Sequence, residues 1–104
     1  MITIDTFRQL ALSFPGTTEE PHFEKTSFRL NKKIFATLDI KNNRACLLLT
    51  PLDQSVFCVY DADIIYPVPN KWGLKGALFV NLAKVSKPIL KDALTHAYNK
   101  IIVK

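Results

Sequence analysis

Glycine and cysteine are scarce in this chain of 104 residues, and each scarcity excludes a class of protein. The three glycines, Gly16, Gly73 and Gly76, are too scattered to form a phosphate-binding loop or a dinucleotide-binding fingerprint. The two cysteines, Cys46 and Cys58, lie inside apolar segments, where reduced and buried thiols are the common state. Nucleotide-dependent catalysis and a disulfide-stabilised scaffold are therefore both disfavoured.

Long apolar runs are also missing. The longest apolar stretches, such as residues 45–49 and 77–80, are far shorter than the roughly 20 residues that a membrane-spanning helix needs. Residues 1–5 lack the basic start and long apolar run of a secretion signal, so we expect a cytoplasmic protein without a membrane partner. With 48% hydrophobic and 22% charged residues, the chain is expected to fold as one domain over residues 1–104.

Apolar residues at helical spacing predict three helices. The first covers about residues 4–14, with Thr3 as its N-cap. The second starts after Thr50, which is followed by a proline and an aspartate that suit the first turn of a helix. It extends to about residue 60. The third starts behind Ser86 and carries an unbroken apolar stripe to the end of the chain.

Alternating apolar and polar residues predict antiparallel strands between these helices. The expected strands are Thr26 to Leu30, Lys33 to Ile40, Arg44 to Thr50, Ile64 to Tyr66, and Ala77 to Leu82. The strand at Ile64 to Tyr66 is very short. A tight turn at Asn31-Lys32 and a second turn at residues 41–43 join the first three into hairpins. The alternation places Ile34, Ala36, Leu38 and Ile40 on one side of their strand.

The resulting order, α-β-β-β-α-β-(β)-α, indicates the α+β class, in which an antiparallel sheet carries its helices mainly on one face. Residues 17–25 contain no alternating apolar pattern, so they are expected to form a polar connection.

Charge is segregated along the chain although the net charge is only +5. Residues 25–44 hold six cations and one anion, which gives +5, and residues 71–104 hold seven cations and one anion, which gives +6. Residues 1–24 and 45–70 each carry a net charge of −3. Because lysine and arginine neutralise phosphates and release counterions, the basic hairpins are a candidate nucleic-acid contact. Solvated turns and protected sheet edges, however, also require lysine and asparagine.

No catalytic constellation is recognisable. The loop expected after the first helix holds the one cluster of metal-ligating or acid–base residues, Glu19, Glu20, His22 and Glu24. Nothing in its spacing fixes the three or four convergent ligands that a metal site needs, and a salt-bridged role is the simpler interpretation. The serines lack the sequence context of a nucleophile, and His96 has no assigned role. We therefore expect neither an enzyme nor a cofactor.

Three segments in the same order resemble the YjbR/MmcQ family of small bacterial proteins. They are residues 12–20 (LSFPGTTEE), residues 28–36 (FRLNKKIFA), and the Trp72-Gly73 pair that precedes the strand at Ala77. The resemblance implies a frataxin/CyaY-like α+β fold and a proposed double-wing DNA-binding mode, in which β-hairpins act as wings. The family's first turn is often rich in glycine, whereas here it is Asn31-Lys32, which adds charge at one wing tip.

The leading hypothesis is a nucleic-acid-binding module, with duplex DNA as the partner and a monomer as the binding unit. The contact residues expected for it are Lys32, Lys33, Lys41, Arg44, Lys71, Trp72 and Lys75. The two turns lie at opposite ends of one strand, so they would need separate contact points.

The alternative is a module that binds a protein or a small ligand through apolar residues on the outer sheet face, namely Phe35, Leu48 and Phe79 beside Trp72. An enzymatic role for Glu19, Glu20 and His22 would require these side chains to converge in a cleft.

Overall fold

The computed structural model describes residues 2–22, 25–59 and 61–102. Over these ranges the chain forms four helices and one six-stranded antiparallel sheet, which confirms the predicted α+β class. The elements are α1 (Ile4–Leu12), β1 (Thr17–His22), β2 (Lys25–Leu30), β3 (Lys33–Asp39), β4 (Arg44–Leu48), α2 (Pro51–Phe57), β5 (Ile65–Pro67), α3 (Lys71–Leu74), β6 (Ala77–Asn81) and α4 (Lys87–Ile102). The strand order across the sheet is β1-β2-β3-β4-β6-β5.

Two helices start at the predicted caps. The Thr3 hydroxyl accepts a hydrogen bond from the Thr6 amide at 3.0 Å, and the Thr50 hydroxyl accepts one from the Asp53 amide at 3.2 Å. Helix α1 ends two residues earlier than expected, because the amide and hydroxyl of Ser13 both donate back to the Leu10 carbonyl. Within the described ranges, no helix combines the length and apolarity needed to cross a membrane.

The hydrophobic core lies between one face of the sheet and helices α1 and α4. Phe7 of α1 and Leu94 of α4 are fully buried there, against strand residues such as Phe28 and Leu47. Helices therefore pack on one face, as predicted, and the opposite face of β2, β3, β4 and β6 is left open, with the short helix α3 at its margin. We call this surface the open face.

Strand β1 is the principal departure from the predicted organisation, because the expected polar connection over residues 17–25 was wrong. Residues Thr17–His22 pair with β2 in a continuous antiparallel register, from Thr17 opposite Leu30 to His22 opposite Lys25. The strand lies at the sheet edge and its residues are polar apart from Pro21, which an edge strand tolerates. Main-chain pairing with β2 stabilises this strand, so its sequence shows no alternating apolar pattern from which it could be predicted.

A bulge in β3 corrects the predicted assignment of residues to the two faces. Phe28 pairs with Ala36 but Arg29 pairs with Ile34, so Phe35 is an extra residue in β3 without a partner in β2. Both Phe35 and Ala36 are consequently buried in the core, and Ile34 lies on the open face. Phe35, expected on the outer face, instead packs edge-on against Tyr98 of α4, with ring centroids 6.1 Å apart.

The short helix α3 is held against the rest of the fold by close backbone contacts. A Cβ atom at Gly73 would lie 1.7 Å from the Val68 carbonyl oxygen, so only glycine fits there. The side-chain amide of Gln54 in α2 donates to the carbonyls of Gly73 and Ala77, both at 2.7 Å. These contacts fix the position of Trp72, the residue before Gly73.

The bulge predicts that truncating two adjacent residues lowers the free energy of unfolding by very different amounts. Phe35→Ala should lower the free energy of unfolding by about 3–5 kcal/mol, because it empties a fully buried site. Ile34→Ala, on the open face, should lower it by no more than about 1 kcal/mol. Chemical denaturation of both variants measures the difference, and a larger loss for Ile34→Ala would contradict the bulge.

The Gly73 contact predicts a second effect on stability. Gly73→Ala should lower the free energy of unfolding by about 1–3 kcal/mol, because the added methyl group displaces backbone. The matched control is Leu74→Ala, since Leu74 is 82% exposed on the same helix and its truncation should change stability by less than about 0.5 kcal/mol. Equal denaturation midpoints for Gly73→Ala and the unmodified chain would show that α3 does not approach Val68.

Candidate functional site on the open sheet face

A groove of about 590 Å³ crosses the open face of the sheet. Its floor consists of side chains from three neighbouring strands: Ile34, Thr37, Cys46, Leu48 and Phe79. Val68, Asn70 and Trp72 form one wall, and Lys25, Lys32 and Lys33 form the rim. We call this site the open-face groove. It is a concave, mainly apolar surface surrounded by positive charge.

The rim is basic, and Asp39, whose pKa a hydrogen bond from Asn42 and the charge of Lys25 help to lower, is an acidic residue near its Lys25 end. The three rim lysines come from the start of β2 (Lys25), the turn between β2 and β3 (Lys32) and the start of β3 (Lys33), and none of the described residues that line the groove is acidic. Because β2 and β3 are antiparallel, Lys25 lies at one end of the groove while Lys32 and Lys33 lie at the other. An anionic ligand would therefore meet a cation at either end.

Trp72 stands at the wall with 57% of its surface exposed. The side-chain oxygen of Asn70 accepts a hydrogen bond from the Trp72 amide at 2.9 Å, which caps α3 and orients its first turn. On the indole, the ammonium nitrogen of Lys75 lies 5.5 Å from the ring centroid, within cation–π range. The backbone of Trp72 is thus fixed while its ring stays accessible.

Arg44 lies at the Lys25 end of the open face and is engaged with the sheet. Its guanidinium carbon is 4.0 Å from the centroid of the Phe79 ring, and its Nε is 3.9 Å from Oδ2 of Asp39. A hydrogen bond from Asn42 lowers the pKa of Asp39, and the charges of Lys25 and Arg44 act in the same direction. Arg44 and Asp39 therefore form a charged pair that borders the groove instead of lining it.

The predicted contact residues divide into two groups. Lys32, Lys33 and Trp72 come together at the groove, and Lys75 lies beside the indole. Lys41 is exposed in the turn at the other end of β3.

Lys71 lies exposed on α3 and does not line the groove. The rim lysine that the sequence-based prediction missed is Lys25. Its alternation with Ser27 and Arg29 along β2 was the available signal, since residues two apart share a face.

The basic C-terminal stretch does not join the hairpin charge on one surface. Lys87 and Lys91 are exposed on α4, whose buried side covers the opposite face of the sheet. Lys100 lies near the sheet end, where its ammonium group donates to the Leu49 carbonyl at 3.2 Å. Among the described lysines of this stretch, Lys75 and Lys100 line a small cavity with Trp72 and Leu48, so part of its charge lies next to the groove.

The acidic cluster does not form an acid–base site from its described members. Glu19 and Glu20 are consecutive on β1, so they point to opposite faces of the sheet. Glu19 accepts a hydrogen bond from Arg8 at 3.0 Å, and Glu20 accepts one from Thr18 at 3.1 Å. The side chain of His22 and all of Glu24 lie outside the described residues. Among the residues that are described, no three potential ligands are grouped to hold a metal ion.

Neither free cysteine has the character of a nucleophile. Burial raises the pKa of the Cys46 thiol in the groove floor, although Lys25, Thr37 and Arg44 act in the opposite direction. Burial also raises the pKa of Cys58, which caps the end of α2. Both thiols are therefore protonated at neutral pH.

His96 lies on the helical side of the molecule, away from the groove. Its Nδ1 is 3.3 Å from Asp53 and its Nε2 is 3.6 Å from Asp92, while its ring packs edge-on against Phe57. These contacts connect α4 to α2 and place no reactive group at the open face.

Comparisons with known proteins agree with this architecture. The crystal structure of the Deinococcus radiodurans protein DR2400, which has a DUF419 domain, superposes on 100% of this chain and 81% of its own, with a TM-score of 0.84. The two sequences are 22% identical, so this likeness concerns the fold. A comparison with curated proteins gives no significant match. The YjbR family model matches residues 12–100, a span that contains the whole open-face groove and its tryptophan wall, and the chain therefore belongs to the YjbR family.

Proposed function

We propose that this chain binds nucleic acid across the open-face groove. The observation that carries the proposal is the placement of Lys25 and of Lys32 and Lys33 at the two ends of an apolar floor, beside the exposed indole of Trp72 and without an acidic residue in the described lining. Lysine side chains at the rim neutralise phosphates and release their counterions, while the floor and the indole offer apolar contact to sugars and bases.

The Asn31-Lys32 turn supports a functional role for its lysine. Both residues have positive φ angles, 53° for Asn31 and 68° for Lys32, as a two-residue type I′ turn requires. Asparagine tolerates this conformation, but a lysine in it costs about 1–2 kcal/mol. Strain of this kind is concentrated at functional sites, where a side chain is needed at a position that glycine would stabilise better.

The second turn, at residues 41–43, offers a separate contact. Lys41 lies there at the opposite end of β3 from Lys32, so a long ligand could reach both turns, as in the double-wing arrangement proposed for the family. The rim lysines and Trp72 make the groove the principal contact in this proposal, and Lys41 adds charge at the far end.

A small anionic ligand is the second candidate, because the groove has the volume of an ordinary ligand pocket, which is about 300–1,000 Å³. The apolar surface first expected for this function included Phe35, which is buried in the core. Leu48 and Phe79 do line the groove, and Ile34 takes the place of Phe35 there.

Salt dependence tests the proposed function. Labelled duplex and single-stranded oligonucleotides are titrated with protein at several salt concentrations, and affinity should fall linearly on a logarithmic scale as salt rises. In the double variant Lys32→Ala and Lys33→Ala, the slope should decrease by about two, since each lost phosphate contact contributes about one. The matched control is Lys87→Ala with Lys91→Ala on α4, which changes net charge equally and should leave the slope nearly unchanged. Absence of binding at low salt, or equal effects of the two double variants, would contradict the proposal.

The strained turn predicts opposite effects on stability and binding. Lys32→Gly should raise the free energy of unfolding by about 0.5–1 kcal/mol, because glycine adopts the required φ without steric conflict. It should also reduce the salt slope of binding by about one. Asn31→Gly is the control, with a smaller gain in stability and unchanged affinity. Full affinity in Lys32→Gly would show that this lysine does not contact the ligand.

A further inference from the structure

We propose that the open-face groove receives an unpaired base, so that the ligand is a single strand of nucleic acid and not an intact duplex. This inference rests on the proposed function and names its substrate class. Three features of the groove carry it, namely its concave shape, the position of Trp72 and the distribution of the rim lysines.

The shape of the site excludes base contacts in an intact duplex. Base edges of a duplex lie inside grooves, which are reached by convex elements such as a helix or a β-ribbon. Ile34, Leu48 and Phe79 lie instead at the floor of a concavity, where a duplex could touch only the rim. An unstacked base, by contrast, can be splayed out from its strand onto a sheet surface and buried against apolar side chains.

Trp72 has the properties of a stacking platform. An indole whose role is to anchor a loop would bury its ring, whereas this one is 57% exposed at the groove wall. Its backbone is fixed by the Asn70 cap and by the contact of Gly73 with Val68. A rigid, accessible indole stacks on a base without losing much conformational freedom, and any base offers a suitable face.

The rim lysines are placed to hold phosphates on both sides of a bound base. Lys25 starts β2 and Lys32 follows its end, so the two lie at opposite ends of the groove, separated by roughly 20 Å at about 3.3 Å per residue. A single strand running along β2 and β3 would pass both ends. A free mononucleotide, with its phosphate at one end, would leave the other end without a partner.

The floor offers little basis for discrimination between bases. The floor has two polar side chains, Thr37 and Cys46, and the remaining ones, Ile34, Leu48 and Phe79, are apolar. Stacking and apolar contact would dominate, and these depend weakly on which base is bound. We therefore infer binding with a weak sequence preference.

Fluorescence and variant binding test the inference, because Trp72 is the single tryptophan of the chain. An oligothymidine strand should bind at least about ten-fold more tightly than a duplex of the same length and should quench the indole emission, since a stacked base contributes about five- to 150-fold in affinity. Trp72→Ala should lose the strand preference, and Trp72→Phe should recover most of it. Leu74→Ala, exposed on the same helix, is the control and should retain it.

The outcomes separate this inference from the proposed function. Equal affinity for strand and duplex, with no quenching and no effect of Trp72→Ala, overturns the unpaired-base proposal and leaves nucleic-acid binding intact. No binding of either oligonucleotide overturns both. Thymidine monophosphate that binds as tightly as the strand also overturns the single-strand proposal, and it identifies the groove as a small-ligand site.

Thiol alkylation provides a second measurement with an internal control. Cys46 lies in the groove floor, whereas Cys58 lies at the end of α2 and does not line the groove. Because burial raises the pKa of both thiols, alkylation by iodoacetamide should be slow at pH 7 and should accelerate as the pH rises above about 9. A saturating oligothymidine strand should slow the alkylation of Cys46 and leave that of Cys58 unchanged. Equal protection of both thiols, or of neither, would place the strand outside the groove.

Discussion

The extra residue in β3 is the constraint on which both faces of the sheet depend. Because Phe35 has no partner in β2, it turns inward together with Ala36 and fills the core under α4. Its ring packs against Tyr98, and Tyr98 stacks on Phe14 while its hydroxyl donates to the Pro15 carbonyl at 2.7 Å. One bulge thus connects the sheet to the last helix and to the segment that follows the first helix. It also turns Ile34 outward, which gives the open-face groove its apolar floor.

A second constraint acts at the margin of the sheet, where backbone meets backbone without room for a side chain. Gly73 closes α3 onto Val68, and Gly76, with φ at 112°, brings the chain against Leu49 at the start of β6. Gln54 connects both segments to α2 through two hydrogen bonds. Gly73 and Gly76 therefore allow two backbone segments to approach each other closely and do not form a phosphate-binding loop. Together with Gln54, they hold the backbone at Trp72 in place.

Two departures from local stability rules lie at the groove. Lys32 occupies a left-handed conformation that glycine would adopt without strain, and Trp72 leaves more than half of a large apolar surface in contact with water. Departures of this kind are expected where a site is built for a ligand and not for stability. Their coincidence at one concave, basic surface supports the proposed binding role.

From the sequence by itself, the helix caps, the two turns and the class of the fold could be predicted, because each depends on residues close in the chain. The segregation of charge along the chain could also be predicted, as could the choice of Lys32, Lys33 and Trp72, which line the groove, as candidate contact residues. Strand β1 could not be predicted, since its pairing with β2 is a main-chain interaction that leaves no apolar pattern. The inward position of Phe35 was decided by tertiary structure alone. A single extra residue in β3 reverses the face of the sheet to which neighbouring side chains point. Only the packing of β3 against α4 determines the position of this extra residue.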